Sequence, residues 1–201
     1  MNNKLVEIDE PGKKELILKA SLDLFSKKGV SKTTIRDIAS RAKVSIGLIY
    51  FYFKNKDDIL KDIFLRIRGN FPEEGFDEFP KMQAEAIFEK LCSSHFKFMT
   101  KNFKQFFMFL TESNHNNMLS DLLYSQGMLD GRRDLEKIMN DLQQRGEFRN
   151  FNAHTATLVF FNAVFMFVLL KEGSFKKQLK DQTTEEYSNV LIDILLNGMK
   201  A

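Results

Sequence analysis

Cysteine is nearly absent from this chain. Cys92 stands alone, so no intrachain disulfide can form, and the sequence suits a reducing compartment. Histidine is also sparse, with three in 201 residues, and there is no glycine-rich phosphate loop or recognisable nucleophile constellation. No catalytic activity and no cofactor are therefore expected. Cys92 and His95 are three residues apart, close enough on a helix to share a metal, but no third ligand accompanies them and no metal site is expected. Proline occurs only at positions 11, 72 and 80. No strand-length run alternates apolar and polar residues between turn signals, which excludes a β fold and leaves an all-α one. The first thirty residues hold no apolar run behind a basic start, so no secretory signal is expected and the protein reads as cytoplasmic.

What is present is unevenly spread. Residues 1–68 carry 15 Lys/Arg against 9 Asp/Glu, a net +6, on a chain whose total is +3, so the remainder is acidic. A basic head on an acidic body is the charge footprint of a nucleic-acid-binding module joined to something else. Of 21 phenylalanines, 17 lie beyond residue 69, and with 9 methionines they make an adaptable apolar interior.

Helix signals punctuate the chain. Pro11 suits a first turn, Ile17, Ala20, Leu24 and Phe25 form one apolar face, and Lys27-Lys28-Gly29 is a stop signal. Ser31-Lys32-Thr33-Thr34 is rich in N-cap candidates before Ile35, Ile38, Ala39 and Ala42, whose spacing marks a short amphipathic helix. Lys43-Val44 breaks it, and Ser45 can cap another short helix to about Phe51. A fourth helix begins at Asn55, with Ile59, Leu60, Ile63 and Phe64 on its apolar side. The stretch 70–80, with two prolines, a glycine and four acids, marks a boundary between domains 1–69 and 70–201. Beyond it, helices are expected near 81–102, 104–113, 117–124, 127–145, 152–171 and 184–199.

Two short helices around a tight turn outline a helix-turn-helix. The residues that fill the outline are specific: Leu24-Phe25 with Gly29, Thr34 with Asp37-Ile38-Ala39, Val44-Ser45 with Gly47, Tyr50 with Tyr52-Phe53, and Lys54-Asn55-Lys56 with Leu60. Over residues 17–64 this closely resembles the N-terminal domain of the TetR family of bacterial transcriptional regulators. The resemblance implies a three-helix DNA-binding domain, then a larger helical domain that dimerises and binds a small molecule. The expected function is a ligand-responsive repressor, a homodimer on a double-stranded DNA operator, released by a small hydrophobic effector.

Site residues follow. Thr34 and Ser45, at two helix starts, are candidate phosphate ligands, and Lys56, opening the fourth helix, is expected to reach a phosphate as well. By resemblance Tyr52 holds the DNA backbone and Arg36 reaches a phosphate or a guanine edge. Gly47 lets the recognition helix approach the bases, while Ile46, Leu48, Tyr50 and Phe51 face the groove. Two departures stand out. The family usually has Gly in the turn where this chain has Lys43, and often a polar or basic residue at the position of Ile46. The recognition helix has no Lys, Arg, Asn or Gln, the side chains that make bidentate base contacts.

In the body, Phe88, Cys92, His95, Phe96 and Met99, with Phe107, Phe161 and Phe165, are candidates for an effector pocket, although residues of each kind are more often core than ligand contact. The last two long helices, 152–171 and 184–199, are the expected dimer bundle. Residues 151–170 contain no Asp, Glu, Lys or Arg, so a membrane-associated protein anchored by this segment is the alternative. Asn152, His154 and Asn162, and the lack of a basic flank beyond Lys171, weigh against it, and no membrane partner is expected.

Overall fold

The computed structural model describes residues 11–70, 79–173 and 175–200. The boundary stretch expected at 70–80 therefore falls mostly outside the described residues. Ten α-helices are described: α1 Pro11–Lys28, α2 Ile35–Ala42, α3 Ile46–Tyr52, α4 Lys56–Gly69, α5 Ala84–Lys101, α6 Phe103–Ser113, α7 Asn117–Leu122, α8 Leu129–Gln144, α9 Ala153–Glu172 and α10 Thr184–Met199. A π-helical stretch, Leu123–Met128, runs into α8, and a single 3-10 turn, Phe79–Lys81, precedes α5. Among the described residues there is no strand, only an isolated bridge between Phe148 and Lys200. The fold is all-α.

The described residues fall into two compact units, those of 11–69 with 108–122, and those of 70–107 with 123–200. Residues 108–122 are a correction: the sequence reading puts them in the body, yet they pack with the first unit. Phe109 meets Phe64 edge to face at 5.4 Å, and Asn116 donates a hydrogen bond to Asp57 at 2.8 Å. Met108, Phe109, Leu119 and Leu122 are buried there beside Ile59, Leu60, Ile63 and Phe64. An amphipathic pattern states that a face is buried and leaves open against what.

In the first unit α1 lies against α2 and α4. Ile17, Phe25, Ile38, Ile49 and Ile59 are among its fully buried side chains. Outside that core, ion pairs join the helices: Lys14 to Asp62 at 2.6 Å, Arg66 to Asp62 at 2.9 Å and to Glu15, and Arg41 to Asp23 at 2.8 Å.

In the second unit α9 packs against α5 and α8, and α10 against α5. The core is aromatic, with Phe88 and Phe160 5.6 Å apart, Phe96 and Phe167 5.6 Å apart, and Tyr187 stacked on Phe167 at 4.0 Å. Tyr187 also donates a hydrogen bond to the Ala163 carbonyl at 3.1 Å, tying α10 to α9. The end of α10 is held by Arg149, whose backbone N–H donates to the Met199 carbonyl at 2.9 Å and whose side chain donates to the Gly198 carbonyl at 2.7 Å. Among the described residues, α9 is the one helix long and apolar enough to cross a membrane. Its buried face, Thr157, Phe160, Val164, Phe167 and Val168, belongs to the core shared with α5, α8 and α10. That is the role of a core helix in a helical body, and the membrane alternative gains no support.

Candidate nucleic-acid interface

Two capped helices and the turn between them build the interface. Thr34 closes a capping box on α2: its hydroxyl accepts from the Asp37 N–H at 3.1 Å, and the Asp37 carboxylate accepts from the Thr34 N–H at 2.8 Å. Lys28 adds an ion pair to Asp37 at 2.7 Å. The Lys28 ammonium and the two Thr34 donors hold the Asp37 carboxyl down to about 2, so the cap stays ionised at physiological pH. Ser45 repeats the device on α3, accepting from the Leu48 N–H at 3.1 Å. In both caps the hydroxyl oxygen accepts; the Ser45 hydroxyl hydrogen is left to donate outward, as a phosphate ligand requires, whereas that of Thr34 is turned to the Asp37 carboxylate.

The turn is made by Lys43, at φ 56° and ψ 44° the one described non-glycine residue with positive φ. Its N–H bonds the Ser40 carbonyl at 3.3 Å, and the Val44 N–H bonds the Ala39 carbonyl at 3.0 Å. The sharp change of direction sets α3 against α2 at a cost of about 1–2 kcal/mol in left-handed strain.

α3 then sorts its side chains. Ile49 is fully buried, and Phe53, its C-cap, nearly so. Leu48 and Tyr52 are half-buried, while Ile46, Gly47, Tyr50 and Phe51 are exposed. With 100° per residue, Gly47 and Phe51 stand opposite Ile49. A methyl group built on Gly47 would come no closer than 4.0 Å to Ser45 Oγ and to nothing else. Glycine inside a helix costs about 0.5–1 kcal/mol relative to alanine, and nothing within the fold requires it here.

Charge follows the same geography. The cations between α1, α2 and α4 are paired, as described above. Lys32, Arg36, Lys43 and Lys54, in the turns bracketing α2 and α3 and at the start of α2, are exposed and have no acid partner among the described residues.

Lys56 departs from expectation. Its ammonium donates to the carbonyls of Val30 at 2.7 Å and Thr33 at 2.9 Å, with Ser31 at 3.5 Å. All three N–H bonds point into the loop between α1 and α2, so the side chain fastens the domain instead of reaching outward. The cap of α4 is Asn55, whose side-chain oxygen accepts from the Asp58 N–H at 2.9 Å, while Asp58 accepts from the Lys54 N–H at 3.0 Å.

The expected pocket residues lie in the second unit and mostly fill its core. Phe88, Cys92, His95 and Phe96 are buried, Met99 and Phe161 pack against them, Phe165 is half-buried and Phe107 is 48% exposed. The His95 ring is 4.8 Å from Phe161, and Phe88 packs on core rings outside the set, Phe148 at 6.4 Å and Phe160 at 5.6 Å. Burial pushes the His95 imidazole down to about 4, against a hydrogen bond to the Leu91 carbonyl, 2.9 Å from Nδ1, that acts the other way. The ring is neutral at physiological pH. Burial pushes the Cys92 thiol up to about 12, an unreactive group. A groove of about 700 Å³ runs between α5 and α10, lined by Glu89, Lys97, Lys101, Thr184 and Glu185 among others. Of the expected pocket residues Phe96 alone lines it, and its wall surface is mostly apolar despite the charged residues around it.

Known proteins agree with this geometry. Residues 17–63 match the model of the bacterial regulatory proteins of the tetR family. The HTH-type transcriptional regulator HbdR of Aromatoleum sp. (strain CIB) is 44% identical over 92 residues, 44% of this chain and 36% of that protein. The fatty acid metabolism regulator protein of Bacillus subtilis is 37% identical over 86 residues, 41% of this chain and 43% of its own length. The matched stretches thus span less than half of either relative. A crystal structure of the transcriptional regulator FadR from Bacillus subtilis in complex with stearoyl-CoA has a TM-score of 0.70 at 24% identity, covering 92% of this chain and 98% of that one. That likeness is one of fold. From the capped helix-turn-helix of its first unit and these matches, residues 17–63 are similar to the helix-turn-helix region of the bacterial regulatory proteins of the tetR family.

Proposed function

We propose that this chain is a transcriptional regulator that binds double-stranded DNA through α2 and α3 and is released by an apolar effector held in the second unit. The observation that carries the DNA reading is the capped α2–turn–α3 unit, with Lys32, Arg36, Lys43 and Lys54 exposed and without an acid partner among the described residues around the face that α3 exposes. Ser45 and Tyr52 supply further phosphate contacts, and Lys56 supports the loop that leads into α2. Phosphate contacts of this kind position the protein and make binding fall with salt.

A homodimer is the working unit. Val159 and Met166 on α9, and Val190 and Ile194 on α10, are large apolar side chains exposed on helices whose other faces are buried. Apolar faces of this size on two neighbouring helices suit a second copy of the chain. The effector reading rests on the Phe- and Met-rich core and on two relatives, one named for fatty acid metabolism and one solved with stearoyl-CoA. A long-chain acyl thioester is the class favoured. Because most of the candidate side chains are packed in the core, such a ligand has to part them, and that movement is how it would favour one state of the protein over another.

A mobility-shift assay with the DNA upstream of the chain's own gene, with and without stearoyl-CoA, tests both parts. Retardation that the thioester abolishes and a polar sugar does not is the expected result. Failure to retard duplex DNA at low salt refutes the regulator reading, and retardation indifferent to the thioester refutes the effector class.

A further inference from the structure

We propose that the recognition surface reads thymine methyl groups, so that each half-site is A·T-rich where α3 lies against it and carries any guanine preference only at the edge that Arg36 reaches. The proposal rests on the DNA-binding reading above and goes beyond it in naming the bases.

The outward face of α3 is apolar to an unusual degree. Ile46 is 40% exposed, Tyr50 56% and Phe51 58%, and of this outward set Tyr50 alone ends in a hydrogen-bonding group. No amide, carboxylate or cation projects from α3 at all. Hydrogen-bond readout of guanine, cytosine or adenine edges needs such groups, whereas the C5-methyl of thymine is the one apolar feature a base pair offers in the major groove. Phe51 meets the Tyr52 ring edge to face at 5.1 Å yet stays 58% exposed, as Ile46 stays 40% exposed, and a row of methyls gives both a surface to bury.

Gly47 supports the same geometry independently. It stands beside Phe51 on the side away from the core, and its missing side chain relieves no clash inside the chain. An unfilled position at the outermost point of the helix lets its backbone come close to a flat surface, which brings Ile46 and Phe51 down onto the base edges on either side. Arg36 completes the arrangement. It is exposed near the start of α2 and unpaired among the described residues, whereas the other arginine of that helix, Arg41, is held by Asp23 at 2.8 Å. A free guanidinium beside an apolar reader is the group able to take a guanine in bidentate fashion, and its place on α2, off α3, puts that contact at one end of the half-site.

The test is selection of binding sites from a random duplex pool by the full-length protein, followed by thymine-to-uracil exchange at each position of the selected site. Uracil pairs as thymine does and lacks only the methyl. Expected are A·T-rich half-site centres and a loss of roughly fourfold per contacted methyl, the factor corresponding to ~0.8 kcal/mol for one buried methyl-sized group. In Phe51→Ala or Ile46→Ala, both at exposed positions, the same exchange should have less effect at the position that residue touches. G·C-rich centres, or uracil duplexes bound as tightly as thymine ones, overturn the inference while leaving the regulator reading intact. If no duplex is retained from the pool at low salt, the DNA-binding reading itself falls and the inference with it.

Discussion

Removing the Lys56 ammonium separates a fastening role from a DNA-contacting one. In Lys56→Met the aliphatic stem remains and the charge goes. The carbonyls of Val30 and Thr33 lose donors at 2.7 and 2.9 Å, and that of Ser31 a longer contact at 3.5 Å. A hydrogen bond from a charged donor contributes about 1.5–3 kcal/mol. The site is partly exposed, so water takes over some of that, and about 2–3 kcal/mol for the two short bonds together is a fair expectation. For a protein of this size, that lowers the melting temperature by about 4–12 °C. Thermal melts followed by circular dichroism measure the loss, and fluorescence anisotropy with duplex DNA at several salt concentrations measures the other role. Well below its melting temperature the variant should keep the wild-type dependence of affinity on salt. An unchanged melting temperature with a salt slope reduced by about one unit, the signature of one lost phosphate contact, would refute the fastening argument and return Lys56 to the interface.

Three further outcomes follow from the same geometry. Lys43→Gly relieves left-handed strain but adds backbone freedom to the unfolded chain, for a net gain of up to about 1 kcal/mol in thermal melts; the lost cation should lower DNA affinity and flatten the salt slope. Gly47→Ala should stabilise the first unit by about 0.5–1 kcal/mol, since the methyl meets nothing, yet weaken DNA binding by roughly fivefold or more, because a methyl forced into a filled contact costs about 1–3 kcal/mol; equal or tighter binding would show that this face does not touch DNA. The double variant Val190→Lys, Ile194→Lys alters two exposed side chains, so the protein should stay folded and elute as a monomer in light scattering, and a persistent dimer would place the interface elsewhere.

Much of this was legible in the sequence because its signals are local. Thr34 and Ser45 cap the helices they precede, Pro11 and Gly29 bound the first helix, and the charge-free run 151–170 becomes α9. Periodicity gave the right buried side of α2, Ile38, Ala39 and Ala42. Three features were not legible. The end of the Lys56 side chain lies four bonds beyond its Cβ, and its partners are carbonyls 23 to 26 residues earlier, brought near only by tertiary folding. Residues 108–122 show an apolar face without showing which core receives it. Aromatic residues such as Phe88, Phe96 and Phe161 announce burial, but a filled core and a ligand cavity call for the same side chains. At Gly47 the sequence suggests a close approach to DNA, and the space around it shows no role for the glycine inside the fold.

The central claim is that α2, α3 and the turns around them form the DNA-contacting surface. Amide hydrogen exchange of the full-length protein, with and without a binding duplex, tests it most directly. Bound DNA should slow exchange over residues 32–54, most clearly at the amides that open α2 and α3, Ile35 to Asp37 and Ile46 to Leu48, and leave the exposed amides of the α5–α10 groove as they were. Protection concentrated in the second unit, or a first unit unchanged by saturating duplex, would contradict the account.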